Sequence, residues 1–275
     1  MILVIQCKDQ VGLVGAISGT LAKEGLNIVS LREFVDKADN RFFMRVEVEQ
    51  ETDAAALEQK LLQVLPHDTI ITVNPLPEKK IVVLVTKEYH CLTDILVRNH
   101  FKTLGATVQC VISNHSTLQN VCSRFDIPFF AVSHEQADKG VFEGQLIDII
   151  EQHKPDYIVL AKFMRILSPG FVIKFQKRII NIHHSFLPAF AGARPYRQAF
   201  ERGVKLIGAT AHFVTNELDE GPIIAQQIIP VNHSFTAADM VEAGKEIETA
   251  VLARALRLVF DDRVLVYKNK TVVFE

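Results

Sequence analysis

Ile81-Val82-Val83-Leu84-Val85 is an unbroken apolar run with charge on its N-terminal side at Lys79 and Lys80. So short a run reads as a strand buried on both faces, as in a parallel sheet covered by helices above and below. Comparable runs recur at residues 107–112, 157–161 and 179–182, and helical segments lie between them, such as 91–104 and 142–153. Strands alternating with helices predict an α/β domain built on a doubly wound, mostly parallel sheet. Ligands of such sheets bind beyond the carboxyl ends of the strands. A site is therefore expected on the loops after Val85, Ala161 and Ile182. Farther along, Met240, Gly244, Ile247, Val251, Ala255 and Leu258 stripe a long helix. Val264-Leu265-Val266 and Val272-Val273-Phe274 then flank a Lys-Asn-Lys turn. Helix and hairpin both read as core packing.

Upstream of Ile81 the pattern differs. Ile2 and Val4 read as a strand, and Val14, Ile17 and Leu21 fall at helical spacing. Residues 27–35 form a second strand, closed by a turn at Ala38-Asp39-Asn40. Met44, Val46 and Val48 alternate with Arg45, Glu47 and Glu49, the pattern of a strand with one wet face. Leu57, Leu61 and Val64 mark a second helix, and residues 69–73 a last strand. The order βαββαβ is that of a split ferredoxin-like sandwich. Pro75, Pro77, Glu78, Lys79 and Lys80 make a stiff polar break. The expected division is a first domain at 1–76, a linker at 77–80 and a catalytic domain at 81–275.

Composition narrows the function. Thirty Lys and Arg against 32 Asp and Glu leave a net charge of -2. That balance gives no electrostatic reason to bind nucleic acid or an anionic membrane. The cysteines Cys7, Cys91, Cys110 and Cys122 form no CxxC pair, so a reducing compartment is expected. The apolar start meets charge at Lys8 and Asp9, which reads as a strand rather than a leader. The expected location is the cytoplasm.

The residues able to do chemistry gather at one strand end, in Asn181-Ile182-His183-His184-Ser185-Phe186-Leu187-Pro188. Residues two apart on a strand share a face, so Asn181 and His183 point the same way. An amide donor beside an imidazole suits acyl chemistry: one steadies an oxyanion, the other moves a proton. Two polar residues merely satisfied at a strand end would look the same. A further strand at 209–214 carries His212, and the loop after it presents Asp219 before the Gly221-Pro222 turn. Asp219 is the carboxylate that would orient His183 or activate water. No metal is expected, because His184 beside His183 has no further ligand at a recognised spacing and no HExxH occurs. Cys91 reads as a small buried hydrophobe, and Ser185 lacks the GxSxG elbow of a hydrolase. The first βα turn, Thr86-Lys87-Glu88-Tyr89-His90-Cys91, contains no glycine. A phosphate or dinucleotide cradle needs glycine there for close backbone approach.

Phe163-Met164-Arg165-Ile166-Leu167-Ser168, the Asn181 to Pro188 segment and Leu218-Asp219-Glu220-Gly221-Pro222-Ile223-Ile224 follow one another in order. Together they resemble the formyltransferases that use 10-formyltetrahydrofolate, a group that includes glycinamide ribonucleotide transformylase. The doubled histidine and the Gly192-Ala193-Arg194-Pro195-Tyr196 loop are similar to those of formyltetrahydrofolate deformylases in particular. Asp9-Gln10-Val11-Gly12-Leu13-Val14 is similar to the ACT-domain signature. The resemblance implies that Asn181, His183 and Asp219 are the catalytic trio. It implies that Phe163, Met164, Arg165, Ile166, Leu167, Val214, Thr215 and Leu218 surround the folate, although the apolar ones would be core in any α/β fold. Without a phosphate cradle, water becomes the expected acceptor. The implied reaction is hydrolysis of 10-formyltetrahydrofolate, supplying formate for one-carbon and purine metabolism, with no tightly bound cofactor. The alternatives are transfer to an amine and, outside catalysis, a folate- or amino-acid-binding regulator. A methionyl-tRNA formyltransferase is disfavoured by the lack of a basic surplus and of room for an RNA-binding domain. The ACT resemblance implies an amino-acid effector near Asp9, Gly12 and Leu13, and a homo-oligomer, although Gly12 serves a tight turn equally well. Phe129-Phe130 departs from the deformylase pattern, where histidine is expected.

Overall fold

The computed structural model describes residues 1–74, 78–135, 138–188 and 195–275. The expected break at Pro75 and Pro77, and Gly192 to Arg194 of the loop that carried the deformylase resemblance, lie outside the described residues. The chain divides into two compact units. The first takes in the chain from Met1 together with Leu258–Tyr267 and Thr271–Glu275; the second is Glu78–Arg257 with Lys268–Lys270.

The first unit runs β1 (Ile2–Lys8), α1 (Leu13–Lys23), β2 (Ile28–Asp36), β3 (Arg41–Val48), α2 (Ala54–Leu62) and β4 (Ile70–Asn74). Its sheet has the order β2-β3-β1-β4, antiparallel throughout. The expected βαββαβ sandwich is present. Strand alternation sends Leu3, Ile5 and Cys7 of β1 and Phe42, Met44 and Val46 of β3 toward Ile17, Leu21, Leu57 and Leu61 of the helices. Leu13, not Val14, completes the α1 stripe: Leu13 is 3% exposed and Val14 41%. The helix begins immediately after Gly12, whose φ of 93° only glycine adopts readily. Spacings 13-17-21 and 14-17-21 are equally helical, and packing decides between them.

The wet face expected on β3 is covered at Phe43 and Arg45, while the Glu47 side chain stays 44% exposed. Phe43 is fully buried against Leu265 and Phe274 of the C-terminal tail, and Arg45 is 6% exposed. The Arg45 guanidinium donates to the Asp261 carbonyl from Nε at 3.3 Å and Nη2 at 3.0 Å. That carbonyl lies just past the end of a long helix, where a cation is favoured. The tail therefore groups with the first unit, where the sequence assigned all of 81–275 to the catalytic domain. Its apolar residues are indeed core, but their partner face is more than two hundred residues away in sequence, as the Arg45 to Asp261 separation of 216 illustrates.

The second unit contains β5 (Lys79–Val85), α3 (His90–His100), β6 (Ala106–Ser113), α4 (Gln119–Ser123), β7 (Phe129–Ala131), α5 (Lys139–His153), β8 (Tyr157–Leu160), α6 (Pro169–Lys174), β9 (Ile179–His183), α7 (Pro195–Arg202), β10 (Leu206–Phe213) and β11 (Ile223–Pro230). Then comes α8 (Ala237–Phe260), whose last turn groups with the first unit, followed by the tail hairpin of β12 (Val264–Tyr267) and β13 (Lys270–Val273). The expected linker at 77–80 is shortened, because Lys79 and Lys80 already pair with Ala106 and Thr107 as part of β5. Both lysines look like linker in sequence, and only the partner strand shows them to be part of the sheet, with Lys79 buried and Lys80 exposed.

The seven-stranded sheet has the order β11-β10-β9-β8-β5-β6-β7. Strands β5 to β9 are mutually parallel, while β10 and β11 run antiparallel at one end. The order runs outward in both directions from β5, which makes the sheet doubly wound with its switch point between β5 and β8. Val82, Leu84, Cys110, Ile112, Ile158 and Leu160 present one face to Phe142, Leu146 and Phe171 of the helices. No described helix is long and apolar enough to cross a membrane.

Candidate active site

Beyond the carboxyl ends of β8 and β9 lies a cavity of about 290 Å³. The chain leaves β8 through Ala161 and Lys162, and Lys162 takes a left-handed φ of 64°. The loop is pinned where the Met164 N–H donates to Thr86 Oγ1 at 3.0 Å. Phe163, Met164, Arg165, Ile166 and Leu167 thereby form one wall, and Val214, Thr215 and Leu218 another. Phe163 is buried, whereas Met164, Ile166 and Leu218 are 55%, 65% and 60% exposed. Large apolar side chains left bare at a cavity mouth are what an apolar ring would cover. All the residues expected around the folate line this cavity.

Asn181, His183 and Asp219 meet at its floor. Asn181 and His183 alternate on β9, as the sequence predicts. Asp219 arrives from the loop after β10 with a φ of 58°, a conformation Asp tolerates better than most residues. The return of that loop requires Gly221. A Cβ there would sit 1.7 Å from the Phe213 carbonyl oxygen, so only glycine lets the strands close behind the site.

The hydrogen bonds fix the protonation pattern. His183 Nδ1 lies 3.3 Å from Asp219 Oδ2 and donates to the carboxylate. In the neutral tautomer that this bond selects, the other nitrogen, Nε2, carries the lone pair. It is buried and has no hydrogen-bond partner among the described residues. Burial alone pushes the Asp219 carboxyl up, but the His183 hydrogen bond, above all, outweighs it and holds the carboxyl below its usual value. Asp219 is an anion.

The sequence places His212 on its strand and assigns it no role. In the β9–β10 register it stands directly opposite Asn181. His212 Nδ1 donates to the Phe213 carbonyl at 3.0 Å, which leaves Nε2 to accept from Asn181 Nδ2 at 3.2 Å. Burial, above all, holds His212 neutral, its pKa lowered despite Asp219 nearby. This contact orients the Asn181 amide. One N–H of the NH₂ is anchored, and the second is free to donate into the cavity.

A second polar cluster, missed in sequence, stands behind the cavity. Glu248 of α8 is 1% exposed. It accepts from His90 Nε2 at 2.8 Å and Tyr196 Oη at 2.8 Å, and Lys162 Nζ lies 3.1 Å away. Burial would raise its pKa. The His90 hydrogen bond and the Lys162 charge, helped by Tyr196, bring it down to about 2. His90, Cys91 and Glu248 lie close enough to gather a metal ion. The Lys162 ammonium already supplies the counter-charge to Glu248, and burial pushes the Cys91 thiol far up, away from the thiolate a metal needs. Glu248 falls on the apolar stripe of α8, four residues after Gly244 and three before Val251, and an acid there is the one signal the sequence offers; its partners come from three other elements and are not legible.

Other expectations fall elsewhere. Phe129 and Phe130 lie on the edge strand β7 and do not line the cavity. In the first unit, Asp9 donates its N–H to the Asn40 carbonyl at 2.9 Å, and Gly12 caps α1. Leu13 is core, so its side chain is not available to a ligand.

Comparison with known proteins agrees with the fold. The formyl transferase family model matches residues 79–256, and the ACT-domain model matches residues 1–66. These define a two-part protein, an ACT domain ahead of a formyl transferase domain. The chain belongs to the formyltetrahydrofolate deformylase family. It is 50% identical over 267 residues to the formyltetrahydrofolate deformylase of Escherichia coli K12, covering 97% of this chain and 95% of that protein. The crystal structure of a formyltetrahydrofolate deformylase from Pseudomonas syringae pv. tomato superposes with a TM-score of 0.95 at 41% identity, covering 100% of this chain and 94% of that one. A glycinamide ribonucleotide transformylase from Symbiobacterium toebii matches with a TM-score of 0.69 at 29% identity, covering 72% of this chain and 95% of that one.

Proposed function

We propose that the protein hydrolyses 10-formyltetrahydrofolate to formate and tetrahydrofolate. The observation that carries this reading is His183, with Nδ1 committed to Asp219 and Nε2 bare beside the Asn181 amide. That is an oriented general base next to an oxyanion donor. The folate would lie along Phe163 to Leu167 and Val214, Thr215 and Leu218, with its formyl group over the cavity floor.

Water is the nucleophile. Its oxygen bonds to the formyl carbon while one of its protons passes to His183 Nε2. Asp219 steadies the imidazolium. The free N–H of Asn181 donates to the carbonyl oxygen as it becomes an oxyanion. When the bond from carbon to N10 breaks, His183 returns the proton to N10 and formate departs. A positioned acid–base contributes roughly 10²–10⁴-fold and one oxyanion donor about 10²–10³-fold.

The remaining expectations belong to the same reading. All four cysteines are free and buried, which supports a cytoplasmic location. The ACT domain supports effector binding at the Asp9–Gly12 loop and pairing between copies.

The test is formate release from purified protein and 10-formyltetrahydrofolate with no amine present. Steady release that is abolished in Asp219→Ala is the expected result. Turnover only after an amine such as glycinamide ribonucleotide is added would make the protein a transferase. Tight folate binding with no turnover under either condition would make it a regulator.

A further inference from the structure

The Glu248 cluster is an unusual investment. Burying a carboxylate, an ammonium and an imidazole together costs several kcal/mol of desolvation per ion, roughly offset by their attraction. Apolar side chains of the same volume would often be as stable. A cluster of this kind is therefore better explained by what it positions than by what it stabilises.

Its place is specific. His184 stacks on the His183 ring with centroids 5.1 Å apart, and the Tyr196 ring follows at 6.2 Å from His184. Burial first, then the Lys162 charge, lowers the His184 pKa to about 4, so this intervening ring is neutral. Lys162 and His184 both line the cavity. Tyr196 is seated on α8 where Gly244 has no side chain, and a Cβ there would lie 2.2 Å from its ring. His90 enters from the first βα turn, the turn without glycine, and ends on Glu248. Three elements thus send side chains into one volume behind His184, where all three meet the Glu248 carboxylate.

We propose that His90, Lys162, Tyr196 and Glu248 form an acceptor plug, which fills the space beyond His184 through which an amine acceptor coming from the first βα turn would reach the cavity, and leaves water as the nucleophile. The proposal rests on the deformylase reading and names what sets its acceptor. Tyr196, its ring seated against Gly244, and His90 supply the volume. Selectivity of this kind is set by shape at the transition state, where a few missing carbons change discrimination roughly 10–200-fold.

Opening the plug should admit a small amine. Its nitrogen would bond to the formyl carbon as the bond to N10 breaks. The proton it loses would reach N10 through His183, giving an N-formyl amine and tetrahydrofolate. The experiment incubates the full-length protein with 10-formyltetrahydrofolate and glycinamide. It measures N-formylglycinamide against formate by mass spectrometry, with the uncatalysed background subtracted. Wild type should give formate. Tyr196→Ala and His90→Ala should raise the share transferred to the amine roughly tenfold or more. Tyr196→Phe keeps the ring and loses only the hydroxyl, so its product ratio should match wild type. A ratio, unlike a rate, does not move when a variant is merely less stable.

Wild-type ratios in both alanine variants, with tetrahydrofolate still released, would overturn the plug. So would a Tyr196→Phe shift as large as that of Tyr196→Ala, which would assign selectivity to the hydrogen bond instead of the volume. If Tyr196→Ala does not fold, the product ratio of His90→Ala decides alone. Wild type that releases no formate without an amine would refute the hydrolase reading, whatever the variants do.

Discussion

Gly244→Ala sets helix propensity against packing, with opposite signs. Residue 244 is inside α8, where alanine is ordinarily about 1 kcal/mol better than glycine. At this position the new Cβ would lie 2.2 Å from Cζ, 2.4 Å from Cε2 and 2.6 Å from Oη of Tyr196. Ordinary carbon contacts sit near 3.5–4.0 Å, so the ring must retreat by more than about 1 Å. Its hydroxyl then leaves Glu248 Oε1, now 2.8 Å away. Overpacking costs about 1–3 kcal/mol and a hydrogen bond to a charged group is worth about 1.5–3. After the propensity gain, the net expectation is a loss of about 1.5–5 kcal/mol. The assay is equilibrium urea unfolding followed by far-UV circular dichroism, in wild type and in a Tyr196→Ala background. With the ring gone, Gly244→Ala should become stabilising by about 1 kcal/mol, a coupling that only direct contact produces. Gly244→Ala that stabilises the protein with Tyr196 intact would refute the seating of Tyr196 on α8.

Other outcomes follow from the same contacts. His212→Phe frees the Asn181 amide and should lower kcat about 10–10²-fold with little change in KM, a fraction of a whole oxyanion donor; unchanged kcat would remove His212 from the orienting role. Glu248 titrates near 2 when folded against an ordinary 4.5, so it stabilises the fold above pH 4.5 and loses that contribution as the pH falls toward 2. This is on the order of 3 kcal/mol. Urea unfolding at pH 6 and pH 3 should therefore show a smaller pH effect in Glu248→Gln than in wild type, and equal effects would count against the pairing. Phe274→Ala strips the outer cover from Phe43 and should cost about 3–5 kcal/mol by the same unfolding assay. A cost under about 1 kcal/mol would mean that the tail contributes little to the first unit's core.

Much of this fold and site was legible in sequence because it is periodic or local. The run at Ile81–Val85 marked a buried strand, and the period of two on β9 put Asn181 and His183 on one face. The Gly221-Pro222 turn placed Asp219 on a loop, and the glycine beside it turns out to be demanded by the Phe213 carbonyl. What stayed hidden depends on pairing between distant segments. The role of His212 is set by the register of β10 on β9. Glu248 is one acidic residue among several on α8 until His90, Lys162 and Tyr196 converge on it. Arg45 alternates like any solvent-facing residue, and nothing near it in sequence announces Asp261. Lys79 and Lys80 look like linker for the same reason.

The tail on β3 has a consequence for how the protein is made. The first unit is discontinuous: its sheet is encoded by the opening of the chain, and the cover for Phe43 and Arg45 by residues near the close. A ribosome adding about 5–20 residues per second needs on the order of 10–40 seconds to travel from one to the other. Through that interval the nascent sheet has its helices on one side and bare phenylalanine on the other. The newborn ACT domain is thus an adhesive surface until the last hairpin emerges, and this is the stage of its life at which a chaperone has something to hold.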